Sequence, residues 1–321
     1  MQGSVKNKLE IIFRPNTILL WILLLLVLFF SSRSVAFRSV DNLMEVLRSC
    51  GIIALMVLGV TWIVASGETD ISFPEIAGYA SMMTALMVKN GLTWGLAAGI
   101  AISTGVLYGF LSGTLITRFR FPALIATIAV GSLAKSIANM INKGQPLYLM
   151  NIDPSIQFIV YGKVFGIPVL FLVVVIIYLI AAWIQDHTTT GQHLYALGEN
   201  RTAALEAGIK EKRIIISFFA LSALLASVSG VLLAASFSSG QPRIGGSFFI
   251  DGLTTVFLGA MIIKAGKPNV IGTLIGAVII SVLSNGITMM GVPYYIGSII
   301  KGLLMITGVA VIVLSRKGII K

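Results

Sequence analysis

The chain has 321 residues, of which 57% are hydrophobic and only 11% charged, and its mean hydropathy is +0.98; a soluble domain carries roughly 25% charged residues, so that class is excluded. The net charge of +11 is not matched by any basic helix or stacking platform of the kind nucleic-acid binders use, and in a membrane chain it reads as topology, since basic residues gather in cytoplasmic loops. The one cysteine, Cys50, excludes an internal disulfide and a thiolate metal cluster.

At the N-terminus, Lys6, Lys8 and Arg14 precede the apolar run Ile18–Phe30, and Ser34-Val35-Ala36 resembles a small-residue cleavage site. The segment reads as an uncleaved first span. Further charge-free runs follow, among them Val169–Ile184 and Ile271–Leu283. A crossing needs about 20 mostly apolar residues, and in lipid the backbone must pair within its own segment, so helices are expected. A β-barrel would alternate with a period of two, and these runs do not. The pattern predicts ten spans, at 17–31, 49–66, 72–88, 93–116, 121–141, 167–185, 214–235, 249–263, 269–287 and 293–314. The fold class is therefore an all-α polytopic membrane protein, one transmembrane domain over 1–321. An even count places both termini on one side. With the termini inside, the cytoplasmic pieces hold fourteen of the 23 Lys and Arg residues and the outer pieces seven. Arg118, Arg120, Arg316 and Lys317 fix that orientation locally.

The segment Ser66–Gly78 interrupts apolar sequence with Glu68, Asp70 and Glu75, and Gly67 and Pro74 break the helix. Two readings stand. It is a broken helix beside a watery path, the only setting that tolerates such charges at membrane depth. Or it is a cytoplasmic turn in which Asp70 and Ser72 cap the next helix. Lys135 lies within a span, with Ser132 and Asn139 on its face, and a cation there needs a partner or water. Lys301, near the start of the last span, is expected to snorkel outward. The connections 142–166 and 236–248 are the long outer loops, either plain connectors or seats for an external partner. Met87-Val-Lys-Asn-Gly91 and Ile262-Ile-Lys-Ala-Gly266 each end an apolar run and lead into a Gly-rich span. In this topology they face opposite sides, the mark of an inverted repeat, against chance similarity of glycine-rich helices. The glycines within spans, such as Gly105, Gly109 and Gly113, are read as close helix contacts. His187 and His193 are read as solvated loop histidines.

The cytoplasmic loop 186–213 carries the longest polar, helix-prone stretch, Tyr195–Ile209. It has a small-residue face of Ala203, Ala204 and Ala207, charges at Glu199, Arg201 and Glu206, and Gly198 and Gly208 near its ends. It suits docking of a cytoplasmic partner. No Gly-Lys-Ser/Thr phosphate loop and no nucleophile–base constellation is present, so neither P-loop ATP hydrolysis nor another enzyme activity is expected of the chain.

The segment Thr190–Ile209 resembles the coupling loop of ABC importer permeases of the ribose/monosaccharide/autoinducer-2 type. Ser66–Ser72, Phe121–Thr127 with Lys135 beyond it, Val256–Gly259, Gly272–Gly276 and Asn285-Gly286 match in the same order. The chain departs from that pattern at Glu68–Glu75 and after Gly259. The resemblance implies a ten-helix fold like that of type II ABC importers and a coupling helix over Asn200–Gly208. Its contacts would come from Gly198, Asn200, Ala203, Ala204, Glu206 and Gly208, and the translocation path would be lined by Asp70, Ser72, Lys135, Asn139 and Asn285. It further implies separate ABC ATPase subunits carrying ATP and magnesium, an extracytoplasmic substrate-binding protein, a second permease copy or paralogue, and a bacterial inner membrane with both termini cytoplasmic. No cofactor is expected on this chain. The function expected is alternating access for a monosaccharide or similar small polar solute. The alternatives are an ion-coupled secondary transporter using Asp70, Glu75 or Lys135, and a structural or channel protein.

Overall fold

The structure, a computed structural model, describes residues 15–263 and 266–316. The basic residues Lys6, Lys8, Arg14 and Lys317 and the Lys264-Ala265 part of the repeat lie outside the described residues. The chain is helical almost throughout. The long helices are α1 (Pro15–Arg33), α2 (Val40–Ala65), α3 (Phe73–Lys89), α4 (Trp94–Arg118) and α5 (Ala123–Ile141). After the outer loop with its short helix α6 (Pro154–Tyr161) come α7 (Val169–His187), α8 (Thr189–Glu199), α9 (Arg201–Glu206) and α10 (Glu211–Ser236). The chain closes with α11 (Gly245–Gly259), α12 (Val270–Met289) and α13 (Tyr294–Arg316). Among the described residues, seven helices (α2, α4, α5, α7, α10, α12 and α13) are long and apolar enough to cross a membrane. The three other expected spans fall on α1, on the 17-residue α3 and on the 15-residue α11.

The core sits on α2 and α10, which bury most of their surface. α10 packs on α4, α3 and α2, while α12 packs on α2 and α11. Glycine makes the tightest of these contacts possible. Gly105, Gly109 and Gly113 form one stripe on α4, and a Cβ there would stand 1.9 Å from Ser227 Oγ, 2.2 Å from the Phe219 carbonyl oxygen and 2.7 Å from Ile216 Cα of α10. With no hydrophobic drive between helices in lipid, such close backbone approach supplies the dispersion that holds them. The outer helices α1, α5, α7 and α13 expose Leu25, Ile125, Ile176 and Ile306, side chains that suit acyl chains or another membrane subunit.

Several buried polar groups are paired across helices, as a dry interior favours. Thr61 meets Thr273 at 2.9 Å, the Tyr178 hydroxyl donates to the Ala54 carbonyl at 2.7 Å, and Gln185 Oε1 accepts the Val270 N–H at 2.8 Å. The two long outer loops are tied together rather than independent. Strand β1 (Leu147–Tyr148) pairs antiparallel with β4 (Ser239–Gly240), and β2 (Lys163–Val164) with β3 (Ile167–Pro168) closes a hairpin over Phe165-Gly166. Both turn residues have positive φ, 51° and 79°, which the right-handed twist of a two-residue hairpin requires.

Candidate translocation cleft and coupling surface

The stretch expected as one docking helix is two. Thr188 caps α8 by accepting the Gly191 N–H, and Asn200, in extended conformation, breaks the run and caps α9 by accepting the Ala203 N–H at 3.1 Å. Gly208, at φ 82°, follows the end of α9 and is the left-handed terminator that glycine allows at least cost. Gly198 sits inside α8, not at a boundary. A Cβ there would lie 2.1 Å from the Ala65 carbonyl oxygen, so its hydrogen lets α8 seat directly on the end of α2. Ala204 is a correction to the expected docking face: it is 4% exposed and turns into its own chain. The outward surface of α9 consists of Thr202, Ala203, Leu205 and Glu206, continued by Ala207.

The α8–α9 corner is bound to two connections that come from different halves of the chain. Arg201 donates to Glu68 Oε1 at 2.7 Å and also to Glu211 Oε1, and Glu211 is buried at the start of α10 with Arg120 at 3.5 Å from the same oxygen. The hydrogen bond to Glu211 and the two carboxylate charges push the Arg201 guanidinium further above its already high range, against burial. On the other side, the Tyr195 hydroxyl donates to the Pro268 carbonyl at 2.8 Å and Lys267 pairs with Glu199. Burial first, and then the charge of Asp186, push the Tyr195 phenol well above its usual range.

From Glu68 the chain runs through the extended segment 69–72 to α3. Asp70 is 1% exposed there. Its Oδ1 accepts the Ser72 N–H at 2.8 Å and the Ser72 hydroxyl at 2.6 Å, and its Oδ2 accepts the Ser222 hydroxyl of α10 at 2.9 Å. Asp70 and Ser72 thus staple the segment to α10, and neither lines the cleft that the next residues reach. Ser72 does not cap α3 with its side chain.

The next residues do reach a cavity. Pro74 and Glu75, in the first turn of α3, face Thr127, Ser132 and Lys135 of α5 and Phe249 of α11 across a cleft of about 310 Å3. Lys135 Nζ donates to Glu75 Oε1 at 3.0 Å; Glu75 is largely buried and Lys135 half-exposed. The carboxylate also gains from its place at a helix N-terminus. Asn139 gives its amide to the Lys135 carbonyl at 2.7 Å rather than joining the pair. Asn285 is elsewhere: it exchanges two 2.9 Å hydrogen bonds with Asn42 and clamps α12 to α2. The five expected path residues therefore divide among three places, and only Lys135 lines this cleft. Lys301 corrects a second expectation. It does not snorkel but pairs with Asp251 of α11 at 2.7 Å, both side chains mostly buried. Glu75, Glu68, Ser222 and Asp251 are partners that sequence spacing missed, because each lies far along the chain from the group it satisfies; Glu211, close to Arg201 in sequence, was missed as well.

A family model described as "Branched-chain amino acid transport system / permease component" matches residues 42–309. The chain is similar to ribose import permease protein RbsC of Escherichia coli strain K12, 30% identical over 292 residues, 90% of this chain and 91% of that protein. It is equally similar to RbsC of Bacillus subtilis strain 168, 30% over 288 residues, 89% of each chain. Autoinducer 2 import system permease protein LsrD of Escherichia coli O9:H4 strain HS is 28% identical over 259 residues, 79% of this chain and 78% of that protein. No solved structure matches.

Proposed function

The chain belongs to the family of ABC importer permeases that these relatives represent, and on that premise we propose that it forms the membrane path for a ribose-type monosaccharide, driven by separate ATPase subunits that dock on the α8–α9 corner. ATP and magnesium belong to those subunits, and an extracytoplasmic binding protein delivers the solute. A second permease, identical or a paralogue, completes the path in the bacterial inner membrane. No observation favours the ion-coupled alternative.

The observation that carries the reading is the double attachment of the α8–α9 corner. Its Arg201 holds the 66–72 segment that delivers Glu75 to the cleft, and its Tyr195 and Glu199 hold the 267–268 connection that leads into α12. A push on the corner therefore acts on both halves of the helix bundle at once. Leu205, 44% exposed beside Ala203 and Glu206, is an apolar contact rimmed by charge, the composition of a docking surface.

The ten-span topology with cytoplasmic termini and the inverted repeat belong to the same proposal. The first turns of α3 and α11 abut: a Cβ on Gly245 would stand 2.3 Å from the Pro74 carbonyl oxygen. In the proposed topology the two short helices run from that point in opposite directions. Each also holds a lysine of the helix two further along the chain, Glu75 of α3 with Lys135 of α5 and Asp251 of α11 with Lys301 of α13. That correspondence supports a duplicated unit.

Co-purification from membranes tests the docking claim. An ATPase subunit is expected to accompany the wild-type chain and to be lost with Ala203→Trp on the outward face, while the variant stays inserted. Retention of the ATPase by Ala203→Trp, with normal uptake, would refute the docking surface.

A further inference from the structure

The glycine stripe that seats α4 on α10 also sets what meets beyond it. Gly105, Gly109 and Gly113 lie against Ser227, Phe219 and Ile216 in turn. The two helices therefore run antiparallel, and the end of α4 comes beside the first turn of α10. Arg120 lies 3.5 Å from Glu211 Oε1, in keeping with that register. The connection from α4 to α5 turns at this point. Arg120 has φ 60°, a backbone that glycine takes at less cost, and the rings of Phe119 and Phe121 meet edge to face with centroids 6.5 Å apart.

The result is a strongly basic face. Arg118 and Arg120 come from the connection, and Lys210, Lys212 and Arg213 from the start of α10, all of them exposed. Among the described residues Arg120 alone of the five is paired, with the buried Glu211, and that carboxylate is shared with Arg201. Phe119 and Phe121 are exposed as well. They continue an apolar surface to which Leu107 and Phe110 of α4 and Leu124 and Ile125 of α5 also belong, each of them exposed.

We propose that this face binds the headgroup of an anionic phospholipid. The phosphate and any further negative charge lie among Arg118, Lys210, Lys212 and Arg213, and the two phenylalanines rest at the boundary between headgroups and acyl chains. A cluster of Lys and Arg next to a membrane span attracts anionic lipid in this way, and phenylalanine beside such cations is the composition of a surface that lies in the headgroup layer. A water-borne acidic protein would meet the cations but not the apolar band behind them, which the bilayer reaches. In the proposed topology this is the inner leaflet, and the site rests on that reading. It also borders the coupling corner. Arg120 and Arg201 share Glu211, so a phosphate that draws Arg120 away leaves the carboxylate to Arg201, the residue that ties α9 to the 66–72 segment.

The test is photolabelling of the full-length permease, purified with the subunits that accompany it and reconstituted in liposomes. The probes are a phosphatidylglycerol and a phosphatidylcholine that carry the same diazirine at the top of one acyl chain, each at low mole fraction, and the label is mapped by peptide. Phosphatidylglycerol is expected to label the 118–121 and 210–213 peptides at least tenfold more than phosphatidylcholine. Lys212→Gln should lower that preference about fivefold, the worth of one cation near a charged membrane, and Lys210→Gln/Lys212→Gln should bring it near parity. Labelling by phosphatidylcholine should stay unchanged in both variants, which shows that they remain inserted, and Arg118 and Arg120 are still present to hold the orientation. Equal labelling of the wild type by the two lipids would overturn the site and make this face ordinary boundary surface. A preference that survives Lys210→Gln/Lys212→Gln would overturn it too. Absence of label from either lipid would make the face a protein contact instead. The ATPase content of the same preparation separates the two levels: equal labelling with the ATPase bound sinks the lipid site alone, whereas wild-type permease that never carries an ATPase sinks the importer reading.

Discussion

A lysine within a membrane span is tolerated when a carboxylate meets it, but the two such pairs in this chain differ in what they contribute. Lys301 and Asp251 are both largely shielded, whereas Lys135 is half-exposed to the cleft. Removing one member of a shielded pair leaves an uncompensated charge and costs about 3 kcal/mol or more, while a solvent-exposed pair is worth about 1 kcal/mol or less. Asp251→Ala is therefore expected to destabilise the detergent-purified protein far more than Glu75→Ala, as read by thermal unfolding. Glu75→Ala should instead depress uptake while the protein stays inserted. The reverse order of unfolding midpoints would show that Glu75, and not Asp251, carries the structural load. Asp70 belongs with the structural residues. Its three donors are all internal, so Asp70→Asn, which keeps an acceptor there, should insert normally and keep most uptake. Asp70→Leu, which leaves Ser72 and Ser222 without their acceptor, should fail to accumulate in membranes.

Among the elements, the α8–α9 corner has the most exposed and the most tightly tethered residues side by side. Arg201 is its anchor. Cutting both of its carboxylate links with Arg201→Ala should free the 66–72 segment from the docking corner without touching Ala203, Leu205 or Glu206. The ATPase should stay bound and hydrolyse ATP, while solute moved per ATP falls by about tenfold, within the usual range of coupling energies. Arg201→Lys, which can reach one carboxylate but not both, should fall between. If uptake and hydrolysis decline together, Arg201 supports docking rather than transmission. This corner also marks the boundary of what the sequence could give. The helix-prone stretch, its terminator Gly208 and the break near its middle rest on local signals: an Asn that caps, a Gly that accepts positive φ. The inward turn of Ala204 does not, because α9 buries that side in packing back on α8, and nothing within a six-residue run marks which face will be covered. In the same way the cleft was half-legible. Lys135 announces itself by its charge in an apolar run, but Glu75 is joined to it only by the folding of α3 against α5.

At the scale of the molecule, the two shortest of the long helices decide the topology. α3 has 17 residues and α11 has 15, so at 1.5 Å per residue they are about 25 Å and 22 Å long, less than the roughly 30 Å of a bilayer core. Each is preceded by non-helical chain packed inside the protein: 66–72 holds buried Asp70 and Ser72, and 237–244 holds buried Ser239 and Gly240. Irregular backbone at membrane depth is permitted when protein covers it, and with those segments added both helices can complete a crossing. That argument yields an even span count and puts Asn90, Tyr148 and Met290 on the face opposite Thr202. Cys50 is fully buried, so cysteines introduced singly at these four positions report without background. A membrane-impermeant maleimide applied to intact spheroplasts should label Asn90→Cys, Tyr148→Cys and Met290→Cys, and should label Thr202→Cys only after permeabilisation. Because Met290 follows α12 and Asn90 follows α3, the four positions together separate a failure at α11 from one at α3. Protection of Met290→Cys alone would mean that α11 does not cross and that the second half is not an inverted copy of the first. Protection of Asn90→Cys, Tyr148→Cys and Met290→Cys together, with labelling of Thr202→Cys in intact spheroplasts, would remove the crossing at α3 and with it the placement of Glu75 on a path through the membrane.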